Sequence, residues 1–464
     1  MSTNVVPMSA AEPPPPADGG APAPKRGGGA RKAKPLNLGN YMRLLENFAL
    51  VYGTDTAWDG EMRRLVKINA LRLAFTPEAV KGWLNTPNRR MVLPEQLMFE
   101  PGRELEPPCI NLYDGLAMAP KAGDCGPILE LLQHLCSESA DTPQEVAAVM
   151  AWALRWLAYP LQRPGAKMRS ALVVHGPQGA GKNLFFEIVA GMYGAYALVV
   201  GQDQLEDKFN DWASQKLFLI GDEVVARQEL YHQKNKLKAF ITGETIQINT
   251  KMMPLRTESN HVNVVFLSND HQPLALEEGD RRYFVIYTPP RHAGDLYRRV
   301  ADCLAHGGAA AFLDYLLKLD LAGFSEFDIP PMTVAKRDLI ELGLRPQERF
   351  ARDWVGGMLP LPRWVCSTEQ LYRAFKRWAV LNGERFPPNQ AGFTKGVEKT
   401  LRDKAHCKPV RLDAEVKGKS WLRIWVPGDL EPPDSMTQGA WARQCVEAFE
   451  QALRDFGEGQ EGEK

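Results

Sequence analysis

Nowhere does this sequence run to about 18 consecutive apolar residues, so no membrane-spanning helix is expected. Its first residues carry no charged start followed by an apolar core, so no secretory signal is expected either. Cysteine is sparse: seven residues, at 109, 125, 136, 303, 366, 407 and 445, with no Cys-x-x-Cys pair. An odd, scattered set argues against a disulfide framework or a zinc site and for a reducing compartment. Net charge is missing too, because 56 Lys and Arg balance 56 Asp and Glu. Any contact with nucleic acid must therefore come from local basic patches.

What is present is a chain of 464 residues, 44% of them hydrophobic, enough for two or three domains with packed cores. Residues 1–36 are rich in Pro, Ala and Gly and cannot bury enough surface to offset their ordering entropy, which predicts a disordered tail. Its basic cluster, Lys25, Arg26, Arg31, Lys32 and Lys34, suits a solvated tether and could also touch phosphates. Residues 37–105 mix short strand-like pieces with a helix near Pro77–Leu84 and read as a small α+β region. Residues 106–165 read as a helical unit, with Thr142 as N-cap, Pro143 in the first turn and Glu145 reaching back.

The stretch from Ser170 to Val189 carries the strongest signal. An apolar run, Ala171–Val174, stops at Gly176-Pro177-Gln178-Gly179-Ala180-Gly181-Lys182-Asn183, and a helix-like pattern follows. Strand, glycine-rich turn and helix form the setting of a phosphate-binding loop. Glycines let backbone N–H groups converge on phosphate oxygens, and the helix presents its positive end to the same anion. Lys182 is spaced to reach the β- and γ-phosphates. Asn183 stands where Ser or Thr usually holds Mg2+; its amide oxygen is a neutral, more weakly polarised ligand.

Forty residues on, Leu217–Ile220 leads into Gly221-Asp222-Glu223. A buried parallel strand would deliver both acids at its carboxyl end, Asp222 toward Mg2+ and Glu223 toward an attacking water. A helix cap or surface turn has the same local composition. Val262–Ser268 predicts another strand, ending at Asn269, a candidate sensor of the γ-phosphate. Arg281 and Arg282 precede a further strand, Phe284–Tyr287, and either could reach a neighbouring subunit's nucleotide. Between these strands a hairpin is expected, with strands near Ile246–Asn249 and Leu255–Glu258. Its tip carries Lys251, and Arg256 lies nearby, cations that could grip a phosphate backbone; a solvated tip would look the same.

Residues 345–425 hold 17 Lys and Arg against 8 Asp and Glu. Helix (Ser367–Asn382), helix (Gln390–Lys404) and a basic hairpin turning at Lys417-Gly418-Lys419 look like a winged-helix module whose helix and wing contact DNA. Residues 429–464 reverse sign, with nine acids against three bases, and read as a tail that is solvated or binds a partner.

GPQGAGKN at 176–183, LFLIGDE at 217–223, VVFLSND at 264–270 and DRRYFVI at 280–286 together resemble the superfamily 3 helicases, a branch of the AAA+ ATPases. Among these they are similar to phage primase–helicase proteins of the poxvirus-type group. The likeness covers roughly residues 106–430. It implies an α/β P-loop ATPase domain with a mainly parallel sheet over 166–340, preceded by the helical unit and followed by a winged-helix-like domain over 341–428. It implies a hexameric ring around single-stranded or forked DNA, with ATP and Mg2+ at subunit interfaces. Lys182 and Asn183 would then bind ATP and metal, Asp222 with Glu223 would drive hydrolysis, and Asn269 would be the sensor. One of Arg281 or Arg282 would be the finger supplied in trans, and Lys251 the pore residue.

The expected activity is ATP-dependent DNA unwinding in phage or prophage replication, in the bacterial host cytoplasm, alongside a separate primase or replication protein. Only about a hundred residues precede the helical unit, and no primase activity is expected. The competing readings are an origin-melting factor or loader that does not unwind, and a non-catalytic ring or adaptor.

Overall fold

The computed structural model describes residues 36–223, 234–251, 255–274, 276–402, 404–416, 418–428 and 430–457. All but the last residue of the expected 1–36 tail, the hairpin-tip residues 252–254 and the wing residue Lys417 lie outside the described residues. No helix among the described residues is long and apolar enough to cross a membrane, and all seven cysteines are free.

The chain divides into two compact units, one of residues 1–97 with 107–110, the other of residues 98–106 with 111–464. In the first, four strands pair in the order Arg64–Lys67, Thr56–Asp59, Phe48–Val51, Arg90–Val92. Leu44, Phe48, Val80 and Trp83 close its small core under the helices Leu38–Asn47 and Pro77–Asn85. The α+β region is expected over 37–105, whereas this unit runs to Leu97 and takes in Pro107–Ile110. Met98–Glu106 belongs with the second unit instead.

The second unit begins with two helices, α1 (Gly126–Cys136) and α2 (Pro143–Gln162). The start of α2 follows from its sequence. The Thr142 hydroxyl accepts the Glu145 N–H at 3.3 Å, and the Glu145 carboxylate accepts the Thr142 N–H at 3.2 Å. That reciprocal pair satisfies two donors that would otherwise face nothing at the helix end.

Then come β1 (Ala171–His175), α3 (Lys182–Tyr193), β2 (Ala197–Val200) and β3 (Phe218–Gly221). A hairpin of β4 (Thr245–Ile248) and β5 (Arg256–Ser259) follows, then β6 (Asn263–Ser268) and β7 (Tyr283–Tyr287). Every residue of β1, β3 and β6 is buried, which continuous apolar strands require when both sheet faces are covered. The five-stranded sheet runs β7-β1-β6-β3-β2 and all its pairings are parallel. One face packs Leu172, Val174, Ile220 and Leu267 under α1, α2 and α3. The other packs Val173, Leu219, Phe266 and Val285 against Leu339 and Ile340.

Past β7 the chain forms α4 (Leu296–Ala305), α5 (Gly308–Lys318) and α6 (Val334–Leu342). The basic segment then folds as α7 (Pro346–Val355), β8 (Cys366–Ser367), α8 (Thr368–Leu381), α9 (Gln390–Thr400), β9 (Ala405–Val416) and β10 (Lys419–Pro427). Its strands make an antiparallel sheet, β8-β10-β9, over a core of Phe350, Trp354, Phe375, Phe393 and Trp425. The acidic 429–464 segment is not wholly a solvated tail. Residues Gln438–Asp455 form α10, whose Trp441, Val446, Phe449 and Leu453 are buried in this module. Arg373 grips Glu450 at 3.0 Å, so some of the tail's negative charge is answered by the basic segment itself.

Candidate functional site

β1 delivers the glycine-rich loop to the carboxyl edge of the sheet, and α3 starts at Lys182 directly after it. Gly176, Gly179 and Gly181 all have positive φ, at 134°, 86° and 97°. At Gly176 the facing backbone also leaves no room for a side chain, and at Gly181 a neighbouring side chain would have to shift. A Cβ on Gly176 would stand 2.5 Å from the Thr288 carbonyl oxygen, and one on Gly181 2.9 Å from Leu131 Cδ1. The Lys182 ammonium is buried and donates to the Gly176 and Pro177 carbonyls at 2.8 and 2.9 Å. Burial lowers its pKa and the nearby Asp222 carboxylate opposes that shift.

The position of β6 between β1 and β3 assembles the rest. Gly176 N donates to Ser268 O at 3.3 Å, so the residue after β6, Asn269, emerges beside the glycine-rich loop. On the other side of β6, β3 ends at Gly221 and the backbone turns out through Asp222. Asn183 Nδ2 donates to Asp222 Oδ2 at 3.0 Å, which joins the start of α3 to the acid strand. Glu223 sits at φ 54°, a left-handed conformation that costs a non-glycine residue about 1 kcal/mol, and its N–H donates to Asp222 Oδ1 at 3.1 Å. Gln178 to Asn183, Asp222, Glu223 and Asn269 all line one pocket of about 400 Å3. Leu184, Arg291 and Tyr297 line it as well.

No cluster of three His, Cys, Asp or Glu capable of holding a metal is found among the described residues. The oxygens of Asn183, Asp222 and Glu223 are hard donors and few. That set suits a cation such as Mg2+, which keeps waters and shares phosphate oxygens rather than filling a protein cage.

The strand directions separate the predicted arginines from this pocket. Arg281 and Arg282 lie at the amino end of β7, where Arg282 O accepts the Ala171 N–H at 2.8 Å. A strand the length of β1 puts that edge about 15 Å from the glycine loop. Arg282 also faces Asp280 at 3.4 Å. Arg291, by contrast, follows the carboxyl end of β7, on the loop's side of the sheet. Counting strand polarity from β1 would have singled it out; scanning for an arginine pair did not.

Around the hairpin, Lys251 is exposed. Arg256 donates to Glu258 at 2.7 Å, Thr250 at 3.1 Å and Ser214 at 3.2 Å. In the C-terminal module Lys419 pairs with Glu369 at 3.2 Å.

Comparison with known proteins adds three findings. A family model described as a family of unknown function, DUF5906, matches residues 174–282, the span from β1 to the start of β7. A DNA primase-polymerase of Nitratiruptor phage NrS-1 is 32% identical over 146 residues, 30% of this chain, and the match spans 20% of that relative's length. Two solved apo structures of the NrS-1 C-terminal region superpose with TM-scores of 0.57 and 0.56 at 18% identity, covering 82% of this chain and 96% of theirs. The chain thus has a mixed α/β fold with a parallel sheet, similar to that C-terminal region.

Proposed function

We propose that this protein is an ATP-driven DNA motor, a helicase of phage or prophage replication with AAA+-like P-loop chemistry. The observation that carries the reading is the single pocket at the sheet's carboxyl edge. It gathers Lys182, Asn183, Asp222, Glu223 and Asn269 from three different strand ends. Backbone amides of residues 176–183 would hold the phosphates, and Lys182 would exchange its loop carbonyls for β- and γ-phosphate oxygens. Asn183 and Asp222 would hold Mg2+, which when bound neutralises the phosphate charge. Glu223 is placed to orient the attacking water, and Asn269 to hydrogen-bond it or the γ-phosphate.

The remoteness of Arg281 and Arg282 from their own pocket supports a role on a neighbour's nucleotide, in a hexameric ring. Lys251, exposed near the tip of the hairpin, would contact the DNA strand. The order helix, strand, helix, helix, two-stranded hairpin over α7 to β10 supports a winged-helix reading of the basic module, with Lys419 at its wing. A phage relative named as a DNA primase-polymerase, sharing this fold in its C-terminal region, is consistent with a place at a replication fork and with a separate primase partner.

Lys182→Ala should reduce DNA-stimulated ATP hydrolysis to background and abolish strand separation on a forked duplex. Wild-type hydrolysis in that variant would end the nucleotide assignment. Hydrolysis by the unmodified chain without any unwinding would assign it instead as an origin-melting factor or loader.

A further inference from the structure

Among the described residues, Arg291 is the one residue lining the pocket, besides Lys182, that brings a positive charge. Its surroundings differ from those of the arginines nearest it in sequence. Arg298 pairs with Asp295 at 3.0 Å, and Arg299 with Glu130 at 2.5 Å. Arg291 has no carboxylate within ion-pair distance among the described residues. Its guanidinium lies 5.5 Å from the centre of the Tyr297 ring instead. A guanidinium set over a ring rather than paired with a carboxylate keeps its N–H groups available to an anion.

Its location is fixed from both sides. Pro289 and Pro290 stiffen the approach from β7. Beyond it, His292 N donates to the Tyr297 hydroxyl at 3.0 Å, and that hydroxyl donates to Ala180 O at 3.2 Å, inside the glycine loop. The side of Gly179 faces Arg291 directly, for a Cβ there would sit 3.8 Å from Arg291 Cβ. One tyrosine thus ties both the loop backbone and the arginine-bearing turn together.

We infer that Arg291 is a second, intrasubunit cation of this pocket, taking the polyphosphate of a nucleoside di- or triphosphate beside Lys182, with Tyr297 as its positioning residue. The inference rests on the nucleotide reading above but differs from the trans finger assigned to Arg281 or Arg282. A cation at the carboxyl end of β7 serves the pocket of its own chain. One at the amino end cannot.

The test is titration of fluorescent ATP and ADP analogues against the full chain. Hydrogen bonds to a charged group are worth about 1.5–3 kcal/mol, so Arg291→Gln should weaken both nucleotides roughly 10–100-fold. Arg291→Lys should recover part of that loss, since charge returns without the two-pronged geometry. Tyr297→Phe, which keeps the ring and loses the hydroxyl, should show a smaller loss. Arg291 is exposed, so its variants should melt with the wild type; a matched melting curve separates lost binding from lost folding. If Arg291→Gln binds within about twofold of wild type while Lys182→Ala does not bind, the inference fails and the pocket survives. If Lys182→Ala also binds normally, the nucleotide reading has failed beneath it. Mixing Arg291→Gln with Lys182→Ala should restore no hydrolysis, because each pocket draws both groups from one chain. Recovery in the mixture would overturn the intrasubunit assignment.

Discussion

His175 closes the strand that leads into the glycine-rich loop, and its setting shows how far a fold can move one residue's chemistry. The ring is buried, its Nδ1 faces Asp270 O at 3.3 Å, and Nε2 has no partner among the described residues. Burial holds its pKa down to about 4. The folded state therefore takes up this proton later than the unfolded chain, whose histidine titrates near 6.5. Stability is complete above about pH 6.5 and is lost as pH falls toward about 4, by at most about 3 kcal/mol and by about 2 kcal/mol at pH 5. Urea titrations at pH 7.5 and 5 should show wild type losing more stability than His175→Gln. Parallel losses would remove His175 as the cause. Nothing in the sequence around His175 announces this; the neutral imidazole follows from closure of the sheet.

At the scale of elements, local chemistry was readable wherever one element's own residues settle it. Thr142, Pro143 and Glu145 start α2 through contacts three residues apart, so their spacing alone placed the cap. Thr142→Ala should cost about 1 kcal/mol, read as a lowered urea midpoint with an unchanged slope. No change would mean that tertiary packing, not the cap, sets where α2 begins. The acidic C-terminal segment misled for the opposite reason. Net charge averages over a helix, whereas burial selects one face: Trp441, Cys445, Val446, Phe449 and Leu453 are buried, while Arg443 is half-buried and Glu447 and Arg454 are exposed. Periodicity, not composition, carried that information.

For the whole molecule, what matters is which edge of the sheet each functional group occupies. Lys182, Asp222, Glu223, Asn269 and Arg291 share the carboxyl edge, and Arg281 with Arg282 sits at the amino edge. If those arginines serve a neighbour, mixing Lys182→Ala with an Arg281→Ala/Arg282→Ala double variant should recover hydrolysis. Some interfaces then combine an intact loop with an intact finger. No recovery at any ratio would count against a ring with shared sites. If the pocket is the nucleotide site, Lys251→Ala should keep most of the hydrolysis and lose forked-duplex unwinding, because Lys251 is not among the pocket's lining residues. Equal loss of both activities would remove it from the DNA path.

The sequence by itself determined the pieces whose physics is local: the glycine loop, the apolar strands, the acid pair after β3, the amide after β6, the capped helix and the basic module. Each rests on contacts within a few residues or on a repeating pattern of burial. Only the tertiary structure decided which pieces meet. Laying β6 between β1 and β3 brings Asn269 beside Gly176, and running all five strands one way sets Arg291 at the loop and Arg282 away from it. Strand order and polarity come from burying two faces of one sheet at once, a global condition that no short stretch of chain encodes alone.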